Sequence, residues 1–378
     1  MPVLLLSVVI SFLAIACDRG PSAKSGGVAS IKVVIADYSK DNTRPFWQAL
    51  SAAYTKQTGV KVDLQVIDWN SIDQQVTTMI QNNQPPDVLN LNSFSSYAKD
   101  GLLNSSEDVL SPKTRDDFLA AFARGGEYQG KLYGFPILSS ARAFFYNKSL
   151  FAKAKIAAPP KTWDEFVKTA QKITALGKGT IGYALPLGPE EAQAEWSIWM
   201  WNNGGDWKSG DQWAINSEKN LQTLKFLADL ANTHKVTQVN PGKTNRTDGA
   251  FQLFKDGKVG MVMGFSPLAK QLDAEGKVDY GTKFLDLYYQ PENITRWITA
   301  EGFLPVTKSG LDQMRSNPKL KPYLDALPNA RLVPTTDPAW DKVKLDVQQN
   351  IGLAVQPGGN PKQVLDQLQK NATTAGGR

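Results

Sequence analysis

Apolar residues in the first quarter of the chain switch repeatedly between the periods of a strand and of a helix. Residues 31–35 and 60–66 read as strands, the first as a buried strand and the second as an alternating one. Residues 46–54 repeat apolar side chains at helical spacing, and a second helical stretch covers 71–82 before a short third strand at 88–89. This β-α-β-α-β order predicts a parallel sheet with helices on its faces, so the expected fold class is α/β.

The length of the chain predicts two domains, because 378 residues exceed what one hydrophobic core usually serves. The composition is that of a globular protein, with 42% hydrophobic and 21% charged residues. The net charge of +6 is spread along the sequence, and no block of five or more basic residues occurs. We therefore expect no nucleic-acid partner.

An uncharged run of sixteen residues precedes Cys17, the only cysteine. The run is too short to cross a bilayer, which takes ~20 apolar residues, and it fits the apolar core of a secretory signal peptide. We expect residues 1–16 to be that signal peptide, with a start codon further upstream because no Lys or Arg precedes the run. Residues 17–29 are mostly small or polar and predict a flexible tether.

The Ala-Ile-Ala-Cys sequence at 14–17 resembles the lipobox of bacterial lipoproteins, in which the cysteine is lipidated and begins the mature chain. This resemblance implies that Cys17 carries the lipid. It also implies an exported protein anchored to the outer face of the cytoplasmic membrane, which is the periplasmic side in a Gram-negative cell. With no second cysteine, the body forms no disulfide and depends on its hydrophobic core for stability.

Residues that build common enzyme sites are scarce in this sequence. The single histidine, His234, lies in a polar context typical of a helix end, and one His with one Cys excludes zinc clusters and Cys–His pairs. Neither the Gly-x-Ser-x-Gly nor the Gly-x4-Gly-Lys-Ser/Thr motif occurs. A glycosidase carboxylate pair stays open, because 36 acidic residues offer many pairs. We expect no enzyme activity, no metal and no cofactor.

Tryptophan is abundant, and five of the ten tryptophans lie between positions 196 and 213. Aromatic faces stack on the C–H faces of sugars, while amides and carboxylates bind sugar hydroxyls. The run Trp196-Ser-Ile-Trp-Met-Trp-Asn-Asn-Gly-Gly-Asp-Trp207 contains both kinds of side chain. It is compatible with a sugar site and equally with an aromatic core.

Four segments together resemble the bacterial extracellular solute-binding protein family that includes maltose-binding protein. They are 84–89 with 97–103, 128–136 with 145–151, 160–166, and 250–261. The resemblance implies a two-lobed periplasmic-binding-protein fold of type II, with discontinuous lobes and a cleft that closes on ligand by a hinge motion. Lobe one is expected at 30–138 plus 281–310, and lobe two at 139–280 plus 311–378.

The resemblance also implies ligand-binding residues, many of them at the carboxyl ends of strands, where open α/β sheets place their ligands. Lobe one is expected to contribute Asp37, Tyr38, Asp41, Arg44, Asp68, Trp69, Asn90, Asn92 and Ser93. Lobe two is expected to contribute Arg142, Tyr146, Trp196, Trp199, Gly264, Ser266 and Trp340.

The function that the resemblance implies is that of the substrate-binding component of an ABC importer. Such a monomer captures a sugar, oligosaccharide or polyol and delivers it to the transmembrane permease subunits. One alternative is a glycerophosphodiester or sugar phosphate, with Arg142 or Arg44 as the phosphate partner. Others are a surface glycosidase, or a sensor or adhesin without transport.

One stretch departs from the family pattern. Asp279-Tyr-Gly281 continues through two residues into 284–289, without the crossing strand and the first-lobe strand usual there. This shortening predicts an altered hinge.

Overall fold

The computed structural model describes residues 29–91, 93–268, 291–317, 320–327 and 331–377. The predicted signal peptide, Cys17, Asn92 and the stretch after Gly281 that is expected to be shortened lie outside these described residues. Within them the chain forms two α/β lobes, each built around its own sheet.

Strands and helices alternate through most of the described residues. The strands are β1 (Ser30–Asp37), β2 (Lys61–Asp68), β3 (Val88–Leu89), β4 (Glu127–Tyr128), β5 (Lys131–Leu132), β6 (Arg142–Tyr146), β7 (Ile181–Ala184), β8 (Lys208–Ser209), β9 (Gln212–Trp213) and β10 (Val259–Phe265). The helices are α1 (Thr43–Thr58), α2 (Ile72–Gln81), α3 (Ser95–Lys99), α4 (Ser106–Val109), α5 (Pro112–Asp117), α6 (Ala120–Arg124), α7 (Lys148–Lys153), α8 (Trp163–Thr174), α9 (Ala192–Asn202), α10 (Glu218–Asn232), α11 (Phe251–Lys255), α12 (Pro291–Glu301), α13 (Lys308–Met314), α14 (Lys321–Ala326), α15 (Trp340–Asn350) and α16 (Pro361–Ala375). Short 3₁₀ turns cover Pro241–Lys243 and Ile351–Val355, and a π-helical turn covers Arg246–Ala250.

The first-lobe sheet is parallel, in the strand order β2-β1-β3. The central strand β1 is buried on both faces: Val33 and Ile35 pack on one side of the sheet, and Val34 and Ala36 on the other. Burial on both faces explains why residues 33–36 of this strand are all apolar and do not alternate with polar residues. The predicted β-α-β-α-β order is confirmed.

The second-lobe sheet has the strand order β6-β10-β7, with β6 antiparallel and β7 parallel to the central β10. Helix α8 packs against β7, and Thr162 caps its start by accepting a hydrogen bond from the Glu165 amide at 3.2 Å. The Glu165 carboxylate accepts from the Lys161 amide at 2.7 Å. The Thr162 and Glu165 side chains therefore both accept hydrogen bonds from backbone amides at the start of α8, and they fix where this helix begins.

The helices that follow residue 304 still pack on the first lobe beyond residue 311, where the sequence analysis placed the return to lobe two. Met314, Tyr323, Leu324 and Leu327 belong to the same buried cluster as Phe46 of α1. Because these side chains bury themselves against α1, we propose that lobe two resumes within 328–339 and not at 311.

Two described contacts lie near the boundaries between the lobes. Ser139 and Leu304 form an antiparallel bridge, with N–H···O distances of 3.0 and 2.7 Å, and the Ser139 hydroxyl also donates to the Leu304 and Pro305 carbonyls. Further along, the Thr335 hydroxyl donates to the Gly125 carbonyl at 2.8 Å. We propose that the chain crosses between the lobes near 139, near 304, and again after Leu327 and before Trp340.

Candidate functional site

The carboxyl ends of the three first-lobe strands bring Tyr38, Trp69 and Asn90 together. The Tyr38 hydroxyl donates to Asn90 Oδ1 at 2.9 Å, and the Tyr38 and Trp69 rings lie 5.3 Å apart between centroids. Asn90 Oδ1 also accepts from the Ala36 amide at 3.2 Å, so the amide is held in one orientation. Burial raises the pKa of the Tyr38 hydroxyl, which stays a neutral donor. We call Tyr38, Trp69 and Asn90 the first-lobe edge.

Asp37 lies beside this edge, close to a second carboxyl group. Glu301, at the end of α12, accepts from the Thr43 hydroxyl at 2.7 Å and from Trp297 Nε1 at 3.2 Å. Burial is the main cause that raises the pKa of Glu301, and the nearby charge of Asp37 raises it further. Among the described residues, no group donates to the buried Asp37 Oδ1, so this oxygen can still accept a hydrogen bond.

Three other predicted residues of the first lobe lie at its surface. Asp41 is exposed, and Arg44 donates to the Val66 carbonyl at 3.3 Å. Asp68 accepts from the Asn70 amide at 3.0 Å, a local turn contact that leaves most of the carboxylate exposed. Of the three, only Asp68 directly precedes a first-lobe edge residue, Trp69.

The second-lobe sheet ends in a cluster of paired charges: Arg142, Glu190, Glu191 and Arg246. Arg142 bonds Glu191 at 3.0 Å, and Arg246 bonds both Glu190 (3.2 Å) and Glu191. Glu190 also accepts from the amide and hydroxyl of Thr247 at 2.9 and 2.6 Å. We call these four residues the Arg–Glu cluster.

Burial is the main cause of the shifted pKa values of the two arginines in the Arg–Glu cluster. It lowers the pKa of Arg142, and it lowers that of Arg246 to about 9, with the charge of Arg142 as the next cause. Both guanidinium groups also lie over the Phe265 ring, at 4.7 and 4.6 Å from its centroid. Two cations and two carboxylates balance, so the cluster presents no net charge.

The two sheet edges meet at the half-buried ring of Phe303. The Phe303 centroid lies 5.8 Å from Tyr38 in the first lobe and 6.0 Å from Phe265 in the second. Both arginines of the Arg–Glu cluster lie over the Phe265 ring. A chain of aromatic contacts therefore connects the first-lobe edge to that cluster. The predicted residues Tyr38, Trp69, Asn90 and Arg142 are therefore brought into one region.

The three predicted tryptophans of the second lobe lie in its core instead. Trp196 and Trp340 are 0% and 1% exposed, and each packs edge-on against Trp207, at 4.9 and 5.0 Å between centroids. Trp199 is 5% exposed and donates from Nε1 to Glu195 Oε1 at 3.0 Å. All three rings are enclosed by protein in this conformation.

The remaining predicted residues of the second lobe are also largely covered. Half-buried Tyr146 packs on Phe151 at 4.8 Å, and Gly264 lies close against the Phe145 ring. Ser266 follows β10 and is 2% exposed; no partner of its hydroxyl lies among the described residues.

A polar contact that the sequence analysis missed joins the lobes next to Ser93. Lys344 donates from Nζ to Asp73 Oδ2 at 2.8 Å and to Ser93 Oγ at 3.2 Å. One turn earlier, Asp341 accepts from the Ser96 hydroxyl at 2.9 Å. The spacing of Asp341 and Lys344 predicts only that both share one face of a helix and does not indicate their partners in the first lobe.

Two classes of site are not found in the part of the chain that the structure describes. No group of three or more His, Cys, Asp or Glu residues there could hold a metal ion. No described helix combines the length and the apolar character that a membrane span requires.

Comparison with known proteins adds relatives along nearly the whole chain. The sequence pattern of the bacterial extracellular solute-binding proteins matches residues 39–372. A binding protein of Brucella abortus (strain 2308) is 27% identical over 385 residues, covering 91% of this chain and 92% of the relative. The diacetylchitobiose binding protein DasA of Streptomyces coelicolor is 28% identical over 256 residues, covering 65% of this chain and 58% of DasA.

Solved structures share the architecture at lower identity. An ABC transporter solute binding protein from Thermotoga lettingae, bound with α-D-tagatose, has a TM-score of 0.78 at 19% identity and covers 92% of this chain and 99% of that chain. UgpB from Mycobacterium tuberculosis, in complex with glycerophosphocholine, has a TM-score of 0.72 at 16% identity, with 93% and 98% covered. At these identities the likeness establishes the two-lobed fold and leaves the ligand undecided.

Proposed function

Because the chain belongs to the bacterial extracellular solute-binding protein family, we propose that it is the substrate-binding lipoprotein of an ABC importer. In this proposal Cys17 carries the lipid anchor, and the two lobes capture a sugar, oligosaccharide or polyol. The bound ligand is then delivered to the transmembrane permease subunits. The observation that carries the proposal is the meeting of both sheet edges at Phe303, since ligands of α/β sheets bind at such edges.

The first-lobe edge has the chemistry of a sugar site. The half-buried Trp69 ring offers an apolar face, while Tyr38 and Asn90 form a fixed polar pair next to it. Asp37 and Asp68 add carboxylate oxygens, which accept hydrogen bonds from hydroxyl groups. We propose these five residues as the first-lobe contacts, with Asp41 and Arg44 at the rim.

The second lobe would contribute through the Arg–Glu cluster and Ser266, whose buried hydroxyl lies at the end of β10. Glu190 and Glu191 already pair with both guanidinium groups, so a phosphate would have to compete with them. This pairing favours a neutral ligand over the phosphodiester alternative. The enclosed rings of Trp196, Trp199 and Trp340 support the core and are left out of the proposed contacts.

A thermal-shift screen of the full chain tests the proposal. The panel contains mono-, di- and trisaccharides, polyols and glycerol phosphates. A ligand present at 100 times its Kd adds ~2.7 kcal/mol and raises the Tm by several degrees. A shift with glycerol phosphates alone would overturn the preference for a neutral ligand, and a cooperative transition without any shift would count against this ligand class.

Trp69→Ala makes the test specific to the first-lobe edge. Losing a stacking ring is expected to raise the Kd for the sugar by about tenfold or more, measured by calorimetric titration. Trp201→Ala is the matched control, because Trp201 is also half-buried but packs against Arg331 and Asp206. Equal losses in the two variants would contradict the proposed site.

A further inference from the structure

Lys344 and Asp341 of α15 reach across from the second lobe to Asp73, Ser93 and Ser96 of the first. We call these five residues the latch. The latch is separate from the proposed crossings of the chain near 139 and 304, because it consists of side-chain contacts and none of its residues lies near those positions. It is therefore a contact that the lobes can make or break without any change within either of them.

Each side of the latch is fixed within its own lobe. Helix α15 is anchored by Trp340, Val343 and Val347, which belong to the second-lobe core. Helix α2 is anchored by Ile72 and Val76, which pack on the first-lobe sheet. Since packed helices move as units, a relative movement of the lobes would separate Lys344 from Asp73.

One partner of the central ion pair in the latch is buried, and the other is exposed to solvent. The Lys344 residue is only 9% exposed, and a buried ammonium group needs a charged or polar partner. The Asp73 side chain is 54% exposed, so solvent and salt weaken the pair. Burial raises the pKa of the neighbouring Tyr97, and the charges of Asp341 and Asp73 raise it further, which keeps this hydroxyl neutral.

We propose that the latch is a closure device that works without ligand, holding the lobes together beside the first-lobe edge. It adds to the population of the closed arrangement before any solute is bound. Because the pair is half-exposed, its strength is modest and the latch is reversible, and high ionic strength loosens it. This inference concerns the movement of the lobes and does not depend on which ligand the protein binds.

Small-angle X-ray scattering of the ligand-free full chain tests the latch. Lys344→Met and Asp73→Asn each remove the ion pair at nearly constant shape. Both are expected to raise the radius of gyration, with the open-to-closed ratio increasing about two- to fivefold. Lys342→Met is the matched control, because it removes the same charge from an exposed position of the same helix. In the wild type, added NaCl should raise the radius of gyration, and Lys344→Met should abolish this dependence.

The outcomes are separable. An unchanged radius of gyration in folded Asp73→Asn overturns the latch, and so does an equal increase in Lys342→Met. If Lys344→Met fails to fold, Asp73→Asn still decides, since its side chain lies mostly in water. No sugar is present in this measurement, so the latch can be overturned while the proposed ligand binding holds. The ligand proposal can likewise fail while the latch holds.

Discussion

Glu195 shows how a single residue can carry a pH dependence within a core. It is 5% exposed and accepts hydrogen bonds from the Tyr183 hydroxyl and from Trp199 Nε1. Burial raises the pKa of Glu195 from 4.5 to about 7, although both bonds and the charge of Arg142 act in the opposite direction. Solvation loss therefore outweighs the hydrogen bonds at this position.

Glu195→Gln should flatten the dependence of stability on pH. Below pH 4.5 Glu195 is protonated in both states; between pH 4.5 and about 7 it ionises only in the unfolded chain, so stability falls as the pH rises. The full loss, about 3 kcal/mol, is reached above pH 7. In urea unfolding, the fall in the free energy of unfolding between pH 4 and pH 8 should be smaller by that amount in Glu195→Gln, since the Gln oxygen can still accept both hydrogen bonds.

The control for this comparison is Glu218→Gln, an exposed carboxyl on α10. It should leave the difference between pH 4 and pH 8 close to that of the wild type. An equally steep fall in Glu195→Gln would show that Glu195 is ionised in the fold.

At the scale of elements, short local signals decide where helices begin. Thr162→Ala removes the side chain that accepts the Glu165 amide at the start of α8. The expected loss is about 1 kcal/mol in the free energy of unfolding, read from the urea midpoint. Lys168→Ala, at an exposed position of the same helix, should change stability by only a few tenths of that. A loss in Thr162→Ala no larger than that in Lys168→Ala would contradict the expected contribution of the cap.

How far the sequence predicts an element depends on the range of its contacts. Strand β1 and helix α1 are predictable because burial on both faces leaves a run of apolar residues, and because Gly59 ends the helix at a positive φ of 77°. The pairing of Glu190 with Arg246 joins positions 56 residues apart, which leaves no local pattern. Trp340 is ambiguous for a related reason: a stacking ring and a core ring look alike until Trp207 and Trp213 are seen around it.

The same limit applies to the candidate site. Tyr38, Trp69 and Asn90 could be found because parallel strands end on one edge, so position along a strand predicts position in space. The latch could not be found that way, because Asp73 lies in the first turn of α2 and meets Lys344 only through the relative placement of the lobes. Contacts between lobes are therefore the part of the site that most requires a structure.

For the whole molecule, the central question is how two cores behave as one. The main first-lobe cluster contains Trp47 and Trp297, and the main second-lobe cluster contains Trp196 and Trp207. Phe303 is half-buried and contacts aromatic rings that belong to both lobes. It is therefore a candidate for coupling the unfolding of one lobe to that of the other.

Phe303→Ala should separate the melting of the lobes. Truncation removes the ring contacts to Tyr38 and Phe265 while most of each core remains packed, so a calorimetric scan is expected to show two transitions or a broadened one. Phe226→Ala is the matched control: this half-buried ring stacks on Trp163 at 4.1 Å, within the second lobe alone. It should lower the Tm yet keep one transition, because the contacts between the lobes are intact. A single sharp transition in Phe303→Ala would assign the coupling to the Ser139–Leu304 bridge and the latch.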